Sequence, residues 1–138
     1  MPPGMLPLPR TRASATTRRT RLLALTLVLA GALGGCGESS ATYHSPVLAL
    51  RVSEFTITPE SVRMPAGVVR IRLANDGVLV HEVAVANADG KILGQTRAVF
   101  PGHTATSAPF TLARGTYRVY DPGANYADLG MYGSLSVQ

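Results

Sequence analysis

The chain has 138 residues and a single cysteine, Cys36, so neither a disulfide framework nor a cysteine-rich zinc site is available to it. Its formal net charge is +5, but five of its thirteen basic side chains (Arg10, Arg12, Arg18, Arg19 and Arg21) precede residue 22. From residue 36 onward eight basic residues face eight acidic ones, which excludes the basic patch that a nucleic-acid partner would need.

Arg18, Arg19 and Arg21 lead into the 12-residue apolar run Leu22 to Leu33, which ends in Leu33-Gly34-Gly35-Cys36. A basic stretch, an apolar stretch and small residues before a break make an export signal. The run is too short to span a bilayer, which takes roughly 20 apolar residues. Leu33-Gly34-Gly35-Cys36 resembles the lipobox of bacterial lipoproteins. That resemblance implies that residues 1–35 are a lipoprotein signal peptide and that Cys36 is lipidated and begins the mature chain. It also implies a cell-membrane location, anchored through lipid and facing outside the cytoplasm, at the cell surface or in the periplasm. With an unmodified thiol the same pattern would be an ordinary secretory signal. Arg18-Arg19 suggests twin-arginine export, which Thr20 and Arg21 fit poorly.

Residues 36–46 read as the lipidated cysteine and a flexible tether. Residues 47–138 suffice for one small domain with one core. Leu48, Leu50 and Val52 alternate in one parity and Phe55 and Ile57 in the other, which predicts a strand with a bulge or bend that serves two sheets. Val69, Ile71 and Leu73 alternate with arginines, and Val83 and Val85 with Glu82, Ala84 and Ala86. Residues 91–100 read as a strand or an irregular crossover. Tyr117 and Val119 alternate with Arg118 and Tyr120, and Leu135 and Val137 with serines. Period-two alternation puts one face of each strand on a core. Turn signals separate the runs at Pro65-Ala66-Gly67, Asn75-Asp76-Gly77, Asp89-Gly90, Pro101-Gly102, Arg114-Gly115 and Asp121-Pro122-Gly123. The expected fold is all-β, a Greek-key sandwich or barrel of about seven or eight strands.

Five segments in order resemble a cupredoxin, the blue-copper sandwich. They are Phe55-Thr56-Ile57-Thr58-Pro59 with Met64-Pro65-Ala66-Gly67, then Asn75 to Glu82, Pro101-Gly102, Phe110 to Tyr117, and Gly130 to Val137. The resemblance implies that His81 is the first ligand of a copper site and Met131 its axial thioether. It departs where the chemistry lies. The position of the thiolate ligand, four after Tyr117, is Asp121, and the position of the second histidine is Tyr126. Aspartate is a hard oxygen donor and cannot replace the soft thiolate that gives a blue site its character.

Parity turns His81, Asp121 and Met131 inward at one end of the sandwich, so two readings stand. In one, Asp121 and His81 form a buried charge-assisted hydrogen bond without metal, Met131 fills space and Tyr126 caps the cluster. In the other, His81, Asp121, Met131 and Tyr126 hold copper or another metal ion. No cofactor is expected in the first reading. His44 and His103 are expected in solvent, and Tyr117 in a structural corner. No Ser-His-Asp arrangement, phosphate loop or zinc signature is present, so no enzyme activity is expected. Three functions remain. They are a membrane-anchored module binding a protein or small ligand, a metal-ion binding or delivery protein and, least supported, an electron carrier.

Overall fold

Short alternating runs divided by Gly, Pro and Asn turns give strands and no helix among the described residues, 37–138 of a computed structural model. The expected signal peptide over 1–35 and Cys36 lie outside the described residues. The strands are β1 (Ser40–Thr42), β2 (Val47–Ser53), β3 (Thr56–Thr58), β4 (Ser61–Met64), β5 (Gly67–Asn75), β6 (Ala84–Ala86), β7 (Ile92–Gln95), β8 (Thr104–Thr106), β9 (Phe110–Leu112), β10 (Gly115–Tyr120) and β11 (Tyr132–Val137). They form two mixed sheets. The first has the order β1-β4-β11-β10-β6-β7, and the second β3-β2-β5-β8, with β9 also on β5. This is a β-sandwich, as expected, with eleven strands where about seven or eight were predicted. The surplus comes from three-residue strands, which are too short to carry a visible alternation.

Leu48, Leu50 and Val52 of β2 and Val69, Ile71 and Leu73 of β5 face Val62, Val119, Leu135 and Val137 of the first sheet, all buried. Each such side chain stabilises the fold by roughly 1.5–3 kcal/mol. β6 departs from the alternation. Ala84 and Ala86 are buried along with Val85, because each pairs with a long neighbour, Tyr120 and Arg118 respectively. The Tyr117 hydroxyl donates to Ala113 O at 2.8 Å, the structural corner expected of it.

Two expectations are corrected. The parity flip after Val52 is not a bulge. Glu54 and Phe55 form a two-residue turn, with Phe55 left-handed at φ 62°, and β3 folds back on β2 so that Ile57 lies opposite Val52. The chain changes sheets later, at Pro59 and Glu60. The tether expected from Gly37 to Pro46 is not free either. β1 pairs with β4 in parallel, Ser61 N–H donates to Ser39 O, and the Tyr43 hydroxyl donates to Ala49 O. Residues 91–100 contain both expected forms, β7 followed by an irregular return in which Val99 bridges His81.

β2, β5 and β10 deliver the Glu54-Phe55 turn, the loop Asp76 to Val80, and the loop Pro122 to Gly130 to one end of the sandwich. The turn at Phe100 to Gly102 joins them, since Gly102 N–H donates to Asn75 O.

Candidate functional site

His81 leaves β5 by a loop whose shape is set by one buried amide. Asn75 Nδ2 donates to Leu79 O (2.7 Å) and Val99 O (2.8 Å), and Asn75 Oδ1 accepts from Gly77 N–H (2.9 Å). His81 then pairs with Val99 through both backbone bonds, and its ring turns into the core. Asp121 follows β10 directly, and its N–H donates to Met131 O at 3.1 Å. The His81 and Asp121 side chains are both fully buried, with Nδ1 and Oδ2 2.8 Å apart. An ionised carboxylate only accepts, so Nδ1 carries the proton and donates. The other carboxylate oxygen, Oδ1, accepts from Gly123 N–H at 2.7 Å. Met131 is fully buried. The Tyr126 ring stands edge-on to the imidazole, 5.0 Å between centroids, and covers the pair. All four residues singled out from the sequence therefore occur at one end. His44 and His103 are exposed, as expected, and Glu82 turns away to accept from Gln95.

Glu54 belongs to the same cluster and was not anticipated. Its Oε1 accepts from Val78 N–H (2.6 Å) and Leu79 N–H (2.9 Å) and lies 3.7 Å from His81 Nε2. Nε2 is buried and has no hydrogen-bond partner among the described residues. The imidazole thus sits between two carboxylates, Asp121 at Nδ1 and Glu54 facing Nε2. A Cβ on Gly77 would come within 2.3 Å of Glu54 Oε1, so glycine is what lets the loop close over this carboxylate. The signal for Glu54 was the parity flip around it.

The backbone N–H groups of Leu79 and Val78 hold the Glu54 carboxyl below its ordinary value of 4.5, and the His81 charge adds to this. A depressed carboxyl contributes stability above its unfolded value, and that contribution is lost as pH falls through the lower folded value. Acid below pH 4.5 should therefore loosen the loop Asp76 to Val80. In thermal unfolding followed across that range, Glu54→Gln should lower stability at neutral pH and flatten the acid dependence. Parallel curves for the two proteins would contradict the role given to Glu54.

These donors do not fit a blue copper centre. The position of the soft thiolate holds a hard carboxylate, and both of its oxygens are already engaged. His81 Nδ1 is engaged as well. Among the described residues no three His, Cys, Asp or Glu side chains converge as a metal ion requires.

No protein-family model and no curated protein sequence matches the chain. Solved structures do. Auracyanin from the photosynthetic bacterium Roseiflexus castenholzii matches with TM-score 0.62 at 18% identity, over 70% of this chain and 99% of that one. Auracyanin A of Chloroflexus aurantiacus, described as a "blue" copper protein, matches with 0.56 at 18%, over 67% and 99%. An azurin from Methylomonas sp. strain J matches with 0.54 at 13%, over 67% and 97%. At these identities the likeness carries the fold and nothing finer. The chain is a cupredoxin-like β-sandwich in which the ligand positions do not make a complete copper site.

Proposed function

We propose that this protein is a lipid-anchored, extracytoplasmic cupredoxin-like module that binds a protein or small ligand and does not carry electrons. One observation carries the reading: the buried hydrogen bond between His81 and Asp121, at the position the family gives to its thiolate. Electron transfer at a blue site depends on that soft ligand. A shared sandwich does not restore the chemistry, because function resides in the site and not in the fold. A binding role is supported by the outer face of the first sheet. There Arg118 lies 5.1 Å from the Tyr120 ring centroid and 5.5 Å from that of Tyr132, beside a groove of about 530 Å³. An arginine held between aromatic faces offers both cationic and apolar contact to a ligand.

A metal-ion binding or delivery role is the second reading. The unpartnered Nε2 of His81, 3.7 Å from a carboxylate oxygen, favours it. Asp121 could join as a donor only if its bond to Nδ1 opened.

The anchor is tested by Cys36→Ser. Lipid addition should cease, and the protein should persist as uncleaved precursor or leave the membrane fraction. Stable anchoring takes more than one acyl chain, which lipid addition at Cys36 supplies in this reading. A processed Ser variant that stays with membranes as wild type does would overturn the lipoprotein reading.

A further inference from the structure

The loop end of the sandwich carries most of the large apolar side chains exposed among the described residues. Val78 is 79% exposed, Phe100 63% and Leu129 49%, and Phe55, Leu79 and Val80 are exposed beside them. Of the nine exposed large hydrophobics among the described residues, Val68 and Ile92 lie elsewhere and Tyr132 stands at the margin of this end. Single exposed apolar residues are ordinary, but a cluster marks a contact surface.

What covers it follows from where the described chain begins. β1 enters the first sheet at Ser40, parallel to β4, and Ser39 is already bonded to Ser61 N–H and Glu60 N–H. Gly37 and Glu38 lie in a shallow groove with Glu60, Tyr132 and Gly133. Tyr132 pairs with Tyr120, the residue before Asp121, so Gly37 and Glu38 lie at the loop end. Cys36 is three residues before Ser39, and three residues span at most roughly 11 Å. A lipid on Cys36 therefore enters the bilayer beside this end, with no slack to turn the domain over.

We infer that the loop end lies against the bilayer, with Phe55, Val78, Leu79, Val80, Phe100 and Leu129 in the interfacial layer. The inference rests on the lipidation of Cys36. The contact is apolar rather than electrostatic. Arg51 is paired with Asp76, and Glu54 is engaged with backbone N–H groups, while the exposed Glu38, Glu60 and Asp128 are countered by Arg97 and His103, which share a groove with Phe100. A rim of mixed sign gains little from anionic lipid.

The test uses the lipidated protein in vesicles of phosphatidylcholine, with and without phosphatidylglycerol. With Cys36 acylated there is no other thiol, so Val78→Cys and, at the opposite end, Ala66→Cys each accept one dye. Nitroxide-bearing phospholipid should quench the dye at 78 several-fold more than at 66, and aqueous iodide the reverse, with no gain from phosphatidylglycerol. Intact mass reports acylation independently. An acylated protein whose dye at 78 is as open to iodide as that at 66 leaves the anchor standing and refutes the docking. Protection from both quenchers would mean that a second copy covers the surface, which also refutes it. A mass without acyl chains removes the anchor and this inference together.

Discussion

Asp121→Ala should destabilise the domain by about 3 kcal/mol, because removing one partner of a buried pair leaves the other uncompensated. The loss is large against a total stability of about 5–15 kcal/mol for a small domain. Two donors lose their acceptor at once, the fully buried Nδ1 of His81 and the half-buried N–H of Gly123. His81→Ala should be comparable, since it leaves the Asp121 carboxylate facing the space of a missing ring. The informative quantity is the coupling. The double variant should cost less than the two single losses together, by about 1 kcal/mol or more. Asp121→Asn keeps an oxygen for Gly123 N–H and surrenders the charge, and should fall between wild type and the alanine variant. Denaturant unfolding of wild type and the four variants decides the matter, and additive losses would mean that the short contact between His81 and Asp121 contributes nothing of its own.

The second large effect is a gain. Asp121→Cys combined with Tyr126→His should create Cu(II) binding with an intense thiolate colour. The side chain at 121 already reaches the imidazole, 2.8 Å from Nδ1 to Oδ2. The ring at 126 lies 5.0 Å from that of His81, and Met131 is buried where its backbone meets that of Asp121. Two imidazoles, a thiolate and a weak axial thioether make up the blue-copper set. Each single variant should bind copper poorly, because it supplies only one of the two missing strong ligands. Geometry must be close, and a green product would signal a relaxed site. A folded double variant that binds no better than wild type would show that the loop Pro122 to Gly130 has lost the family's shape.

The long strands were readable because six or nine residues carry enough alternation to identify a face, as in β5, β10 and β11. The same parity turned His81, Asp121 and Met131 inward and brought the buried pair within reach of sequence reasoning. Three-residue strands gave no such signal, and β1 passed for a tether because Ser40, Ala41 and Thr42 are small and carry no large apolar side chain. Its pairing is dictated by backbone bonds to β4, which composition does not reveal. Glu54 was missed for a related reason. Nothing in spacing links position 54 to position 81, and the chain reversal at Phe55 can be mistaken for a bulge. Asn75 looked like a turn residue, yet its buried amide organises the loop that carries His81.

The hydrogen bond to Asp121 takes the His81 nitrogen that a metal ion would need. Metal content per chain, measured by mass spectrometry on untagged protein released from its own membranes, is the sharpest test. No stoichiometric metal is expected. One ion per chain that disappears in His81→Ala would overturn the metal-free reading.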